Sequence, residues 1–248
     1  MPSRRKSAQM SRRIKPRRSA ARPRRPARAH LLVIECDSRQ LAADRLNFGR
    51  PFAEFLKTLF PDKIIAFVQT SSEPELARDL ARVFEEHGRF RSILVLGHSN
   101  ESGLVLTADG LRNWGVVGNW LRQLEPEFCF LAACRAGRSA AVRELFAPIS
   151  KLRQIFASPA AVYPHQLSPL AVLVCILLKD SRIDEDTSTA LRFANYVLTG
   201  GQLYRWKRRE SGPGEEITGT LLDFAADLLD RGPTNLLNQI FPRTRPGA

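Results

Sequence analysis

The chain has 248 residues, 44% of them hydrophobic, with 38 lysines and arginines against 25 aspartates and glutamates and a net charge of +13. That length and apolar content supply one large core, which excludes both a wholly disordered chain and a minimal disulfide-held scaffold. The charge would point to a nucleic-acid binder if it covered the folded surface, but residues 1–30 hold 12 of the basic residues and none of the acidic ones, leaving 26 basic against 25 acidic.

Residues 1–29 combine like charges with proline and alanine and have almost no large apolar side chains, so burial cannot offset the entropy of ordering them. The expectation is a disordered basic tail that reaches His30, followed by one domain over residues 30–248. Such a tail offers a site for an acidic partner or nucleic acid, and its Arg-rich, acid-poor composition is also that of an organelle import signal.

From Leu31 onward, short apolar runs alternate with helical patterns, the signature of an α/β domain with a mostly parallel sheet flanked by helices. Strands are predicted at LLVIEC (31–36), KIIAFVQT (63–70), RSILVLG (91–97), EFCFLAA (127–133) and RQIFAS (153–158). Their near-continuous apolar character is that of strands buried on both faces. The best-defined helix starts at Ser72 as N-cap, with Glu75 closing a capping box, Leu76, Leu80, Val83 and Phe84 on one face, and Gly88 after it. Further helices are predicted over 50–60, 112–124, 138–146, 168–179, 186–198 and 220–230. Past Gly200, QLYRWKRR (202–209) reads as a solvated edge strand whose charges protect the edge, and SGPGEE (211–216) reads as a loop.

Cys36, Cys129, Cys134 and Cys175 show no CxxC spacing, which argues for free thiols in a reducing cytoplasm. The apolar run PLAVLVCILL (169–178) is too short to span a bilayer. No metal or other cofactor is expected, because no cluster of His, Cys, Asp or Glu has ligand spacing.

The third strand ends in Gly97–His98 and the fourth in Ala133–Cys134. If these strands are neighbours, imidazole and thiol leave the sheet at the same edge, where open α/β sheets place their sites. Arg135, Arg138 and a following helix N-terminus would favour a thiolate at Cys134. Cys129 and Cys175, inside apolar runs, read as core, and Cys36 as a residue at the margin of the site. His87 reads as a charge partner for its helix C-terminus, and His165 as a loop residue.

LVLGHS (94–99) followed by FLAACRAG (130–137) resembles the caspase-like, clan CD, cysteine peptidases, most closely the bacterial CHAT branch. The resemblance covers residues 31–180 and includes the order strand, His, hairpin, helix, strand, Cys, with SGLVLTADGL (102–111) as the hairpin. It implies a three-layer sandwich and a cysteine endopeptidase acting on protein or peptide substrates. His98 and Cys134 would be its dyad, with the backbone N–H groups of Ser99 and Cys134 as oxyanion donors. Two departures stand out: the family's glycine after the histidine is Ser99 here, and the 36-residue His–Cys separation is shorter than the caspase spacing of about 50. In such enzymes the loop after the first strand helps form the substrate pocket, which nominates Asp37 for a basic side chain or Arg39 for an acidic one.

Two other readings compete. Gly97–His98–Ser99 begins the G-x-S-x-G elbow of a serine α/β-hydrolase, but Glu101 stands where the second glycine belongs. A catalytically degenerate scaffold with a binding tail is the non-enzymatic alternative. A phosphatase loop fails on spacing, since Ala140 occupies the arginine position of Cys-x5-Arg.

Overall fold

A computed structural model describes residues 29–37, 48–162, 168–180, 204–209 and 212–217. The tail up to residue 28, Arg39, His165 and the helices expected over 186–198 and 220–230 lie outside the described residues. Strands β1 (Ala29–Cys36), β2 (Ile65–Thr70), β3 (Phe90–Gly97), β7 (Phe128–Ala132) and β8 (Gln154–Ala157) form the parallel part of a seven-stranded sheet, in the order β8-β7-β3-β1-β2. Strands β9 (Tyr204–Arg209) and β10 (Gly212–Ile217) extend it antiparallel beyond β8. A second, three-stranded sheet is a small meander of β4 (Ser99–Asn100), β5 (Gly103–Leu106) and β6 (Gly110–Asn113).

Both faces of the parallel part of the sheet are covered, which is why its strands are largely apolar. Side chains alternate between the two faces: Leu32, Ile34, Ile93, Val95, Cys129, Leu131 and Ile155 enter one core, while Leu31, Val33, Leu94, Leu96, Phe128, Phe130 and Phe156 enter the other. Helices α2 (Glu73–His87), α3 (Trp114–Arg122) and α4 (Ser139–Phe146) close the first core with Leu76, Leu80, Trp114, Leu121, Val142 and Phe146. Helices α1 (Gly49–Leu59) and α5 (Ser168–Asp180) close the second with Ala53, Leu56, Leu173 and Leu177. This is the α/β three-layer arrangement expected.

Several local expectations are corrected. Ala29 is fully buried in β1, and His30 is a strand residue whose Nδ1 accepts from the Ile64 N–H at 3.2 Å, so the domain starts inside the segment assigned to the tail. Burial, then the nearby Lys63 charge, lowers the pKa of His30. Helix α3 begins at Trp114, because β6 claims Gly110–Asn113 and Asn113 caps the helix by accepting from Val116 N–H at 2.9 Å. Ser72 caps α2 as expected, while the Glu75 carboxylate reaches one residue further back and accepts from the Ser71 N–H and hydroxyl at 2.9 and 3.0 Å. The segment read as a loop, SGPGEE, forms most of β10, which makes β9 an interior strand and β10 the edge. A register shift between Gly212 and Glu215 accommodates the Gly-Pro pair, as bulges and edge strands tolerate proline.

Glu35 is the one acidic side chain among the buried polar residues described; its Oε1 accepts from the Gly49 N–H at 3.0 Å, capping α1 from within the sheet. Burial raises its pKa above the ordinary carboxylate range.

Candidate active site

Strands β3 and β7 are hydrogen-bonded neighbours, parallel and in register, with Leu96 opposite Ala132. His98 and Cys134 each stand two residues beyond that pair, at the carboxyl edge of the sheet. Parallel neighbours lie about 4.8 Å apart, so the topology brings the two chain turns together. A direct tie fixes them: the Ser99 hydroxyl donates to the Cys134 carbonyl oxygen at 2.5 Å.

The histidine turn is held from below and from the side. Gly97 packs so closely on β1 that a Cβ there would lie 3.0 Å from the Cys36 Cβ. The His98 carbonyl accepts from the Val105 N–H at 2.8 Å, which locks the turn onto the meander. His98 is half-buried, and its Nε2 is covered and has no hydrogen-bond partner among the described residues. The meander is anchored in turn to α2 and α3: Arg112 Nε reaches Glu73 at 2.9 Å, Trp120 Nε1 donates to the same carboxylate at 3.0 Å, and Trp114 Nε1 donates to the Asn100 carbonyl at 3.2 Å.

The cysteine turn runs from Ala133 to Arg138, between the end of β7 and the start of α4. Arg135 has φ of +58°, a conformation that a non-glycine residue adopts at a cost and that recurs at functional turns. The segment after β8 supports the turn, as the Arg135 N–H donates to Ala160 at 2.9 Å and the Gly137 N–H to Ser158 at 2.8 Å. The half-buried thiol of Cys134 takes its hydrogen-bond contacts from that segment too: Sγ lies 3.3 Å from the Val162 nitrogen and 3.7 Å from its oxygen. Arg138 is otherwise engaged than expected, since its guanidinium pairs with Glu101 at 2.7 Å on the surface. Helix α4 starts five residues after Cys134, one residue later than predicted.

The other nominated residues separate clearly. Cys36 is fully buried in the core, its thiol pushed up to about 12 by burial, and so does not line the edge. Cys129 is the same, also pushed up to about 12, and Cys175 sits half-buried on α5. Asp37 follows β1, with its backbone bonded to Thr70 and Thr107. It lines a cavity of about 380 Å³ with Arg50, Gln69, Glu75, Asp79 and Arg82, to which neither His98 nor Cys134 contributes. His87 ends α2, its ring edge-on to Phe90, with Glu86 at 3.7 Å. Ser99 opens strand β4 instead of a helix, so the serine-hydrolase elbow is excluded by local geometry. Sequence reasoning missed the Val162 contact, to which Val162 contributes only backbone atoms, and the Ser99 hydroxyl bond, whose one signal was a serine where the family pattern led to an expectation of glycine.

No protein-family model matches the chain, and no curated protein matches its sequence. Its fold does match a solved structure, the secreted C11 cysteine protease "iotapain" from Bacteroides thetaiotaomicron, with a TM-score of 0.54 at 9% identity. The match covers 73% of this chain and 66% of that one, so it spans just under two thirds of the protease's length. At that identity the likeness is one of fold. The chain has the mostly parallel α/β sheet flanked by helices that was expected, and it shares that fold with a cysteine protease.

Proposed function

We propose that the protein is a caspase-like cysteine endopeptidase of the CHAT type, with His98 and Cys134 as its dyad. The observation that carries this reading is the delivery of one histidine and one partly exposed cysteine to the same sheet edge by the adjacent parallel strands β3 and β7. A Cys134 thiolate attacks the peptide carbonyl, and His98 donates a proton to the leaving amine. Water then releases the acyl group from sulfur. The Ser99 and Cys134 backbone N–H groups hold the oxyanion. Asp37 or Arg39, in the residues that follow β1, reads the charge of the substrate side chain. No cofactor enters this chemistry, and the free thiols Cys36, Cys129, Cys134 and Cys175 fit a reducing, cytoplasmic setting. Among the described residues no helix is long and apolar enough to cross a membrane.

The test is a cleavage-site profile on a peptide library for the parent, Cys134→Ala and His98→Ala. Each substitution is expected to reduce turnover by roughly three orders of magnitude or more while leaving the fold intact. Cleavage that survives Cys134→Ala in a folded protein overturns the assignment. A second reading, a scaffold without activity whose basic tail binds nucleic acid or an acidic partner, has one observation in its favour: the thiol already contacts Val162. A parent with no cleavage and with salt-sensitive nucleic-acid binding would establish it instead.

A further inference from the structure

We propose that the Ser99 hydroxyl is a positioning group that braces the two residues of the oxyanion hole, Ser99 and Cys134, against each other. The inference rests on the peptidase reading and adds a role that a glycine at this position does not have.

The brace has one rigid end and one end that needs support. On the rigid side, Ser99 opens β4 and pairs with Leu104, and the residue before it is locked by the Val105 N–H. On the other side, the chain from Ala133 to Arg138 belongs to no helix or strand and carries Arg135 at positive φ. Such a turn keeps its geometry only through tethers. Two of them, at Arg135 and Gly137, come from the segment after β8. From the β3 side, the Ser99 hydroxyl holds the Cys134 carbonyl, on the nucleophile's own residue. The Arg138–Glu101 pair also joins the two turns, but both side chains are about half exposed, where an ion pair holds position weakly.

An oxyanion hole works only if its donors stay within a few tenths of an ångström of the developing charge. A hydrogen bond that joins the two donor residues fixes their separation directly. Its loss therefore weakens steps that build an oxyanion and spares those that do not.

The experiment compares the parent with Ser99→Ala and Ser99→Thr in peptide hydrolysis, in inhibition by a peptide aldehyde, in alkylation of Cys134 by iodoacetamide, and in thermal unfolding. An aldehyde adds to sulfur and generates the oxyanion, whereas alkylation displaces iodide and generates none. Ser99→Ala is expected to lower kcat about tenfold and aldehyde affinity in parallel, with KM and alkylation rate within about twofold of the parent. Ser99→Thr, which keeps the hydroxyl, is expected to recover most of the loss. The proposal is overturned if Ser99→Ala matches the parent in kcat, or if alkylation and aldehyde binding fall together as a purely structural role demands. A parent that neither cleaves peptides nor is alkylated selectively at Cys134 overturns the peptidase reading and this inference with it.

Discussion

Replacing Gly137 with alanine should drive the segment after β8 away from the nucleophile turn. A Cβ there would lie 2.7 Å from the Ala157 carbonyl oxygen, 2.7 Å from the Ser158 carbonyl carbon and 2.9 Å from the Ala157 carbonyl carbon, whereas ordinary contact begins at 3.4 Å. All three atoms are backbone, so no side chain can rotate to relieve the overlap. The turn and the end of β8 must move apart, and the 2.8 Å bond from the Gly137 N–H to Ser158 is the first to lengthen. Overpacking of this kind costs about 1–3 kcal/mol. At about 2–4 °C per kcal/mol for a chain of this size, melting should fall by roughly 2–12 °C. The same segment carries the Val162 N–H that lies 3.3 Å from Cys134 Sγ, so its displacement should uncover the thiol and speed labelling by iodoacetamide. Thermal unfolding and mass-spectrometric labelling read the two effects. An alanine variant that melts and labels like the parent would refute the packing argument.

Glu35→Ala should destabilise the protein by about 1–3 kcal/mol, since it removes both the cap of α1 and a buried side chain, whereas Glu35→Gln, whose amide oxygen still accepts from Gly49, should match the parent at low pH, where the carboxyl is protonated, and be the more stable of the two at pH 7. Burial raises the Glu35 pKa, so the folded state binds this proton more tightly than the unfolded one. The stability it contributes is complete below the ordinary carboxylate range and is lost as pH rises through the raised value; Glu35→Gln should flatten that slope in thermal melts between pH 4 and 8, and an unchanged slope would refute the assignment. Iodoacetamide at neutral pH should modify Cys134 well ahead of Cys36 and Cys129, whose thiols burial pushes up to about 12, and equal labelling of Cys129 in the folded protein would contradict its place in the core. Deleting residues 1–28 should leave the melting temperature within about 2 °C, given how little each kcal/mol moves it, while removing any steep salt dependence of nucleic-acid binding; a large loss of stability would show that the tail docks on the domain.

Burial explains which elements could be read from sequence. A strand covered on both faces is apolar at most positions, so LLVIEC and RSILVLG announce themselves as near-continuous runs, and α2 is marked by its cap, its period and Gly88. Elements covered on one side, or sitting at an edge, carry weaker marks. The Gly-Pro-Gly of β10 is loop chemistry by composition, yet an edge strand with a register shift has ladder positions to spare. Asn113 shows how a boundary is lost: the sequence around it fits a helix, but pairing of β6 with β5 holds residues 110–113 extended until the asparagine caps α3. At the candidate site the side-chain types and their order were legible, and the backbone contacts of Val162 were not, since a carbonyl and an amide leave no trace in residue identity.

The same physics accounts for a shared fold at 9% identity. The sheet asks of each strand only that its residues be apolar and that neighbours keep register, and Val, Ile, Leu and Phe satisfy that demand almost interchangeably. Helices α2 and α4 ask for an apolar stripe and little more. The proposed chemistry at the sheet edge would be far less tolerant, because an imidazole and a thiol cannot be exchanged for anything of similar size. The demand falls on two residues out of 248, however, too few to register in a whole-chain comparison. One sheet can therefore be built from very different sequences, and in this one the ends of β3 and β7 present His98 and Cys134. Ser99 shows how the edge is tied together: its hydroxyl makes a bond, to the Cys134 carbonyl, that a glycine there cannot make.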